Sequence, residues 1–69
     1  MKISARNVLK GKVKHIKAGN VTAEVTIDLG NGIEIVSVIT KTAPKSLVVK
    51  VGNEIYAFIK ASSITLTTD

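Results

Sequence analysis

Val21-Thr22-Ala23-Glu24-Val25-Thr26-Ile27-Asp28-Leu29 alternates without a slip. Val21, Ala23, Val25, Ile27 and Leu29 fall on one side of an extended chain, and Thr22, Glu24, Thr26 and Asp28 on the other. That is the period of a strand that buries one face and wets the other. Gly30-Asn31-Gly32 follows, three residues that tolerate positive φ, so the strand turns tightly into a hairpin.

Working outward, the return run Ile33 to Thr40 is apolar on both sides. Ile33, Ile35 and Ile39 share one face, and Val36 and Val38 occupy the other. Ile55-Tyr56-Ala57-Phe58-Ile59 repeats this two-sided character. A strand apolar on both faces is covered on both faces. A chain this short encloses one interior, so the second covering points to another subunit. Upstream, Leu9, Gly11 and Val13 alternate with Lys10, Lys12 and Lys14, after which Ile16 has the wrong parity. A bulge near His15 accounts for the change, and Gly11 lets the strand bend sharply. Ala18-Gly19-Asn20 reads as the turn into the alternating strand. Thr42-Ala43-Pro44-Lys45-Ser46-Leu47 reads as a short helix capped by Thr42, with Pro44 in its first turn. Val51-Gly52-Asn53-Glu54 is a turn, and Ser63 to Thr67 a last strand. The resulting order, β-β-β-α-β-β, predicts an all-β, five-stranded OB-like barrel with one short helix between strands 3 and 4.

The chain has 69 residues, no cysteine, one histidine and two aromatic residues, Tyr56 and Phe58. That length supplies a single domain, residues 1–69, below the ~70–80 residues at which a lone core is comfortable. Disulfides and thiolate metal sites are excluded, and His15 cannot build a histidine metal site alone. Self-association remains as the source of extra stability. No apolar run approaches the ~18 residues of a membrane span, and Met1-Lys2-Ile3-Ser4-Ala5-Arg6 lacks the apolar core of a secretory leader, so a cytoplasmic protein is expected. Ten basic against five acidic residues leave a net charge of +5. An excess of this size predicts an anionic partner: nucleic acid, lipid head group or small oxyanion.

Catalysis finds no support. There is no Ser/His/Asp constellation, no standout carboxylate pair, and no phosphate-cradling glycine loop. Anion binding has two candidate locations. Lys10, Lys12 and Lys14 project from one face of the first strand, either as a positive stripe or as an ordinary solvated face. With Tyr56 and Phe58 as a thin stacking platform, the stripe supports an alternative reading as a single-stranded nucleic-acid module. The second location is the start of the chain. Ser4 and Arg6 are two residues apart and so share a side, and a hydroxyl beside a guanidinium fork suits a tetrahedral oxyanion.

Ser4-Ala5-Arg6-Asn7, followed by Leu9-Lys10-Gly11-Lys12-Val13, resembles the opening of the molybdate-binding Mop proteins, or molbindins. The likeness runs on through Val21-Thr22-Ala23-Glu24-Val25, Ile39-Thr40, Gly52-Asn53-Glu54 and Ala57-Phe58-Ile59-Lys60-Ala61-Ser62. The same domain recurs in molybdate-responsive transcription regulators and at the ends of molybdate-transporter ATPases. The resemblance implies an OB-like barrel assembled as a hexamer, a trimer of dimers, that stores molybdate or tungstate in the cytoplasm. It implies a main oxyanion site between subunits, with Ser4, Ala5 and Arg6 from one chain and Thr40, Lys60 and the Ala61 backbone from its neighbour. Relatives place a serine three residues after the threonine. Here that position is Ala43, so one hydroxyl donor is either missing or supplied by Thr42 or Ser46. A second, axial kind of site is implied near Gly19-Asn20-Val21. A pterin-linked role belongs to the same resemblance, although no stacking pocket in the sequence requires it.

The side chains of the main set (Ser4, Arg6, Thr40, Lys60) are all hydrogen-bond donors and none is acidic, as a dianion requires. Sulfate would be rejected by size, being too small to reach every donor at once. Protonated phosphate would carry a donor with no acceptor to meet.

Overall fold

The computed structural model describes residues 6–42 and 49–68. Four strands form one antiparallel sheet: β1 (Asn7–Ala18), β2 (Thr22–Gly30), β3 (Ile33–Thr40) and β4 (Glu54–Ile59), in spatial order β3-β2-β1-β4. The sheet curls into a half-barrel, and the all-β, OB-like class expected from the alternation is the class observed.

The strand β1 organises it. Its first half, Asn7 to Lys12, pairs with β4, and its second half, Lys12 to Ala18, pairs with β2. Two backbone bonds continue the bracket beyond β4: the Val13 N–H donates to the Asn53 carbonyl (2.9 Å) and the Gly52 N–H to the Val13 carbonyl (2.8 Å). A strand serving two neighbours along different halves must bend, and Gly11 sits where it does. A Cβ there would lie 2.6 Å from the Asp28 carbonyl oxygen and 2.7 Å from Ile27 Cγ2. Only glycine lets β1 and β2 approach this closely.

The predicted bulge is present. Val13 faces Ile27 and His15 faces Thr26, so the register shifts between Val13 and His15. The extra residue restores Ile16 to the inward face opposite Val25, as its parity required. The hairpin at Gly30-Asn31-Gly32 is also observed, with φ of 91°, 54° and 77° through the turn. The amide of Gly30 donates to the Asp28 carboxylate at 2.8 Å.

The core is small. Val13, Ala23, Val25, Ile27 and Val49 are buried, with Ile16, Leu29, Ile35, Ile39, Ile55 and Ala57 packed around them in part. Between β3 and β4 the half-barrel stays open over an apolar trough of about 580 Å³ lined by Ile35, Ile39, Ile55, Ala57 and Ile59, among others. On the outer face Val36 and Val38 of β3 are 58% and 64% exposed, and Tyr56 and Phe58 of β4 are 51% and 46% exposed. The two strands read as apolar on both sides are thus uncovered outside within one chain.

The expected last strand differs. Ala61–Ser63 forms a 3-10 turn, and Ile64 to Thr68 is exposed and outside the sheet. Residues 64–68 pair with neither edge strand of the sheet, β3 nor β4, so their strand-like composition is not used within one chain. The helix expected over 42–47 falls on residues outside those described except for Thr42, which is in a turn.

Candidate functional site

The outer face of the sheet carries an orderly charge pattern. The register sets Lys10 opposite Tyr56 and Lys12 opposite Glu54 on β4, and sets Lys12 opposite Asp28 and Lys17 opposite Glu24 on β2. The ammonium of Lys10 reaches the Glu54 carboxylate at 3.1 Å, and Lys14, at the bulge, reaches across β2 to Glu34 of β3. Both ammonium groups are held above the ordinary lysine value by donating a hydrogen bond to their carboxylate and by its charge. Lys10 and Lys14 are thus ion-paired, while Lys12 and Lys17 face Asp28 and Glu24 across the ladder without an ion pair among the described residues. The stripe is a solvated face whose charge is partly offset by its neighbours.

Counting Glu24, Asp28, Glu34 and Glu54 against the four lysines of β1, the net excess falls on Lys2, Arg6, Lys41, Lys45, Lys50 and Lys60, offset by Asp69. Two of these residues flank one rung. Asn7 faces Ile59 at the last rung of the β1–β4 ladder, and Arg6 and Lys60 are the residues just beyond it on the two sides of the ladder. Both are exposed. Neither forms an ion pair among the described residues. Like charges facing each other across strands are unfavourable, and an anion shared between them reverses the sign. Lys60 leads directly into the 3-10 turn, with φ of −62° and ψ of 135°, which sets Ala61 beside the pair.

The remaining expected residues lie elsewhere. Thr40 closes β3 opposite Thr22, next to the Ala18–Ala23 rung. That is the far end of β1 from Arg6 and Lys60, so within one chain the sheet does not bring Thr40 to them. Ser4, Ala5, Ala43 and Ser46 fall outside the described residues. Gly19, Asn20 and Val21 form the β1–β2 turn. Its backbone is tied by Gly19 N–H to Thr22 carbonyl (2.8 Å) and by Lys41 N–H to Val21 carbonyl (2.9 Å), and Val21 is 76% exposed. His15 is exposed opposite Thr26. Among the described residues no group of three His, Asp or Glu side chains comes together to hold a metal ion, and no helix is long and apolar enough to cross a membrane.

One residue of this region was missed by sequence reasoning. The Asn7 side-chain amide donates to the Ile59 carbonyl at 3.1 Å. The available signal was its parity: Asn7 shares the inward positions of Leu9, Gly11 and Val13, where a polar group needs a partner.

The fold is a small OB-like half-barrel with two exposed cations, free of ion pairs among the described residues, flanking the last β1–β4 rung. Comparison with known proteins gives the family. The TOBE domain model matches residues 3–66. A "Probable molybdenum-pterin-binding protein" of Haemophilus influenzae is 53% identical over 64 residues, covering 93% of each chain. Among solved structures, a molybdate-binding protein from Sporomusa ovata superposes with a TM-score of 0.90 at 35% identity, over 99% of this chain and 100% of that one. The cytoplasmic molybdate-binding protein ModG, solved with molybdate bound, superposes with a TM-score of 0.84 at 49% identity, over 88% of this chain and 43% of that one. The chain belongs to the TOBE domain family, in its Mop branch.

Proposed function

We propose that this chain is a single domain, residues 1–69, that binds and stores molybdate or tungstate as an intact oxyanion in the cytoplasm. Its sites are completed between copies of a homo-oligomer, a hexamer built as a trimer of dimers. No reaction is catalysed. Arg6 and Ser4 grip the anion from one chain; Thr40, Lys60 and the Ala5 and Ala61 backbones complete the donor set. The Gly19-Asn20-Val21 turn is the place for the second, axial site.

The observation that carries this reading is that Arg6 and Lys60, both exposed, flank the last β1–β4 rung without an ion pair among the described residues, whereas Lys10 and Lys14 of β1 each have one. Two features support completion by association. Thr40 lies at the opposite end of β1 from Lys60, so a site using both draws on more than one chain. Val36, Val38, Tyr56, Phe58 and the open trough leave apolar surface whose burial favours assembly by ~1.5–3 kcal/mol for each large side chain fully covered.

Calorimetric titration with molybdate and with tungstate at modest ionic strength is expected to give tight binding, with little competition from sulfate. No detectable heat with either anion overturns the assignment. Sedimentation is expected to return a mass several times 7.3 kDa; a clean monomer overturns the assembly.

The nucleic-acid alternative loses its basis with the lysine stripe. Replacing Lys10, Lys12 and Lys14 together by alanine is expected to leave molybdate affinity within about twofold, since an exposed, paired lysine contributes little at a distance. Single-stranded DNA and RNA titrations are expected to be flat, without the steep salt dependence of counterion release. The lysine pairs have a different signature. Because Lys10 and Lys14 are raised above 10.5, the stability they contribute is full below that pH and is lost as pH rises through the raised values. Thermal melts at pH 8 and pH 11 should show the loss only at the higher pH.

A further inference from the structure

We propose that Asn7 is a positioning residue for the anion site, one that holds Lys60 in register with Arg6 without touching the anion; this rests on the oxyanion reading above. The carbonyl that Asn7 engages belongs to the peptide joining Ile59 to Lys60, and the bond is 3.1 Å long and part-buried. The following peptide is held as well, since the Lys60 carbonyl accepts from the Ser63 N–H at 2.9 Å. Lys60 is therefore fixed by its two flanking peptides, one through Asn7 and one through the 3-10 turn.

Parity keeps Asn7 from being a ligand itself. It faces inward with Leu9, Gly11 and Val13, whereas Arg6 and Lys60 are the exposed residues just beyond its rung. Its location also gives it a task. The last rung of a ladder frays first, and here the last rung sits beside two cations that repel each other across the strands. A side-chain bond spanning β1 and β4 at that rung opposes the splaying. Two donors that must converge on one anion lose affinity when their separation drifts by about an ångström.

The test is Asn7→Leu, which preserves bulk on the inward face and removes the donor without adding charge. The parent and the variant are titrated calorimetrically with molybdate and with sulfate, and their native masses are compared. The variant is expected to keep its mass, to bind molybdate about tenfold more weakly, in the range seen when groups that orient a ligand's partners are removed, and to discriminate less against sulfate. Asn7→Leu with a molybdate affinity within twofold of the parent overturns the proposal while leaving the oxyanion reading intact. A parent that binds neither molybdate nor tungstate overturns both.

A second measurement needs no variant and decides the matter if Asn7→Leu does not fold. In ¹⁵N spectra of the unmodified protein the Asn7 side-chain amide is expected to exchange slowly beside that of exposed Asn31. Its shift should stay constant on adding molybdate, while the Lys60 and Ala61 backbone amides move. An Asn7 amide that exchanges as fast as that of Asn31, or that shifts as a direct ligand, overturns the proposal.

Discussion

Arg6→Ala is expected to weaken molybdate binding roughly a hundredfold or more while the apo protein melts no lower than the parent. Two charge-assisted hydrogen bonds from a guanidinium fork are worth ~1.5–3 kcal/mol each, so their loss accounts for that factor. The stability half follows from position. Arg6 is exposed, precedes the first strand and, like Lys60, sits just beyond the last β1–β4 rung, so removing it costs no core packing and relieves like-charge repulsion. Arg6→Lys keeps the charge and loses the fork, and should fall between parent and alanine. Calorimetric titration beside thermal melting separates the two effects. An Arg6→Ala protein that binds within about threefold of the parent would remove Arg6 from the site.

Gly11→Ala is expected to have the opposite profile, a large loss of stability from a substitution remote from the proposed anion. The added methyl group would stand 2.6 Å from the Asp28 carbonyl oxygen and 2.7 Å from Ile27 Cγ2, with Leu29 Cδ2 at 3.0 Å. The first contact is with backbone and cannot be rotated away, so β1 and β2 must part at the point where β1 changes partner. Overpacking of this kind costs ~3 kcal/mol, against a total of ~3–10 kcal/mol for a domain of this length. Thermal unfolding should fall by more than about 10 °C; a drop of under about 2 °C would mean that the sheet absorbs the methyl group.

The parts legible from sequence were those decided by neighbours along the chain. The alternation from Val21 to Leu29 becomes β2, the turn at Gly30-Asn31-Gly32 is seen in its positive φ angles, and the misplaced parity of Ile16 is a real bulge. The parts that escaped depend on what lies across the chain. Lys10, Lys12 and Lys14 looked alike as a stripe because periodicity along one strand carries no information about its partners. Only the register with β2, β3 and β4 supplies Asp28, Glu34 and Glu54. Ser63 to Thr67 had the composition of a strand, but pairing is a property of two segments, and this one pairs with neither edge strand of its own chain. For the candidate site, the donor chemistry of Arg6 and Lys60 was readable, whereas their adjacency came from the Asn7–Ile59 rung, fifty-two positions apart in sequence.

The match of four β1 lysines by four acids on the other strands has a consequence for how filling could be followed. Because the surplus of +5 is not held by that ladder, a tetrahedral dianion seated at Arg6 and Lys60 would cancel two surplus charges, leaving about +3 per protomer at one bound ion each. Cargo loading would then register as slower cathodic migration in native electrophoresis, giving an occupancy gauge that needs neither label nor chromophore.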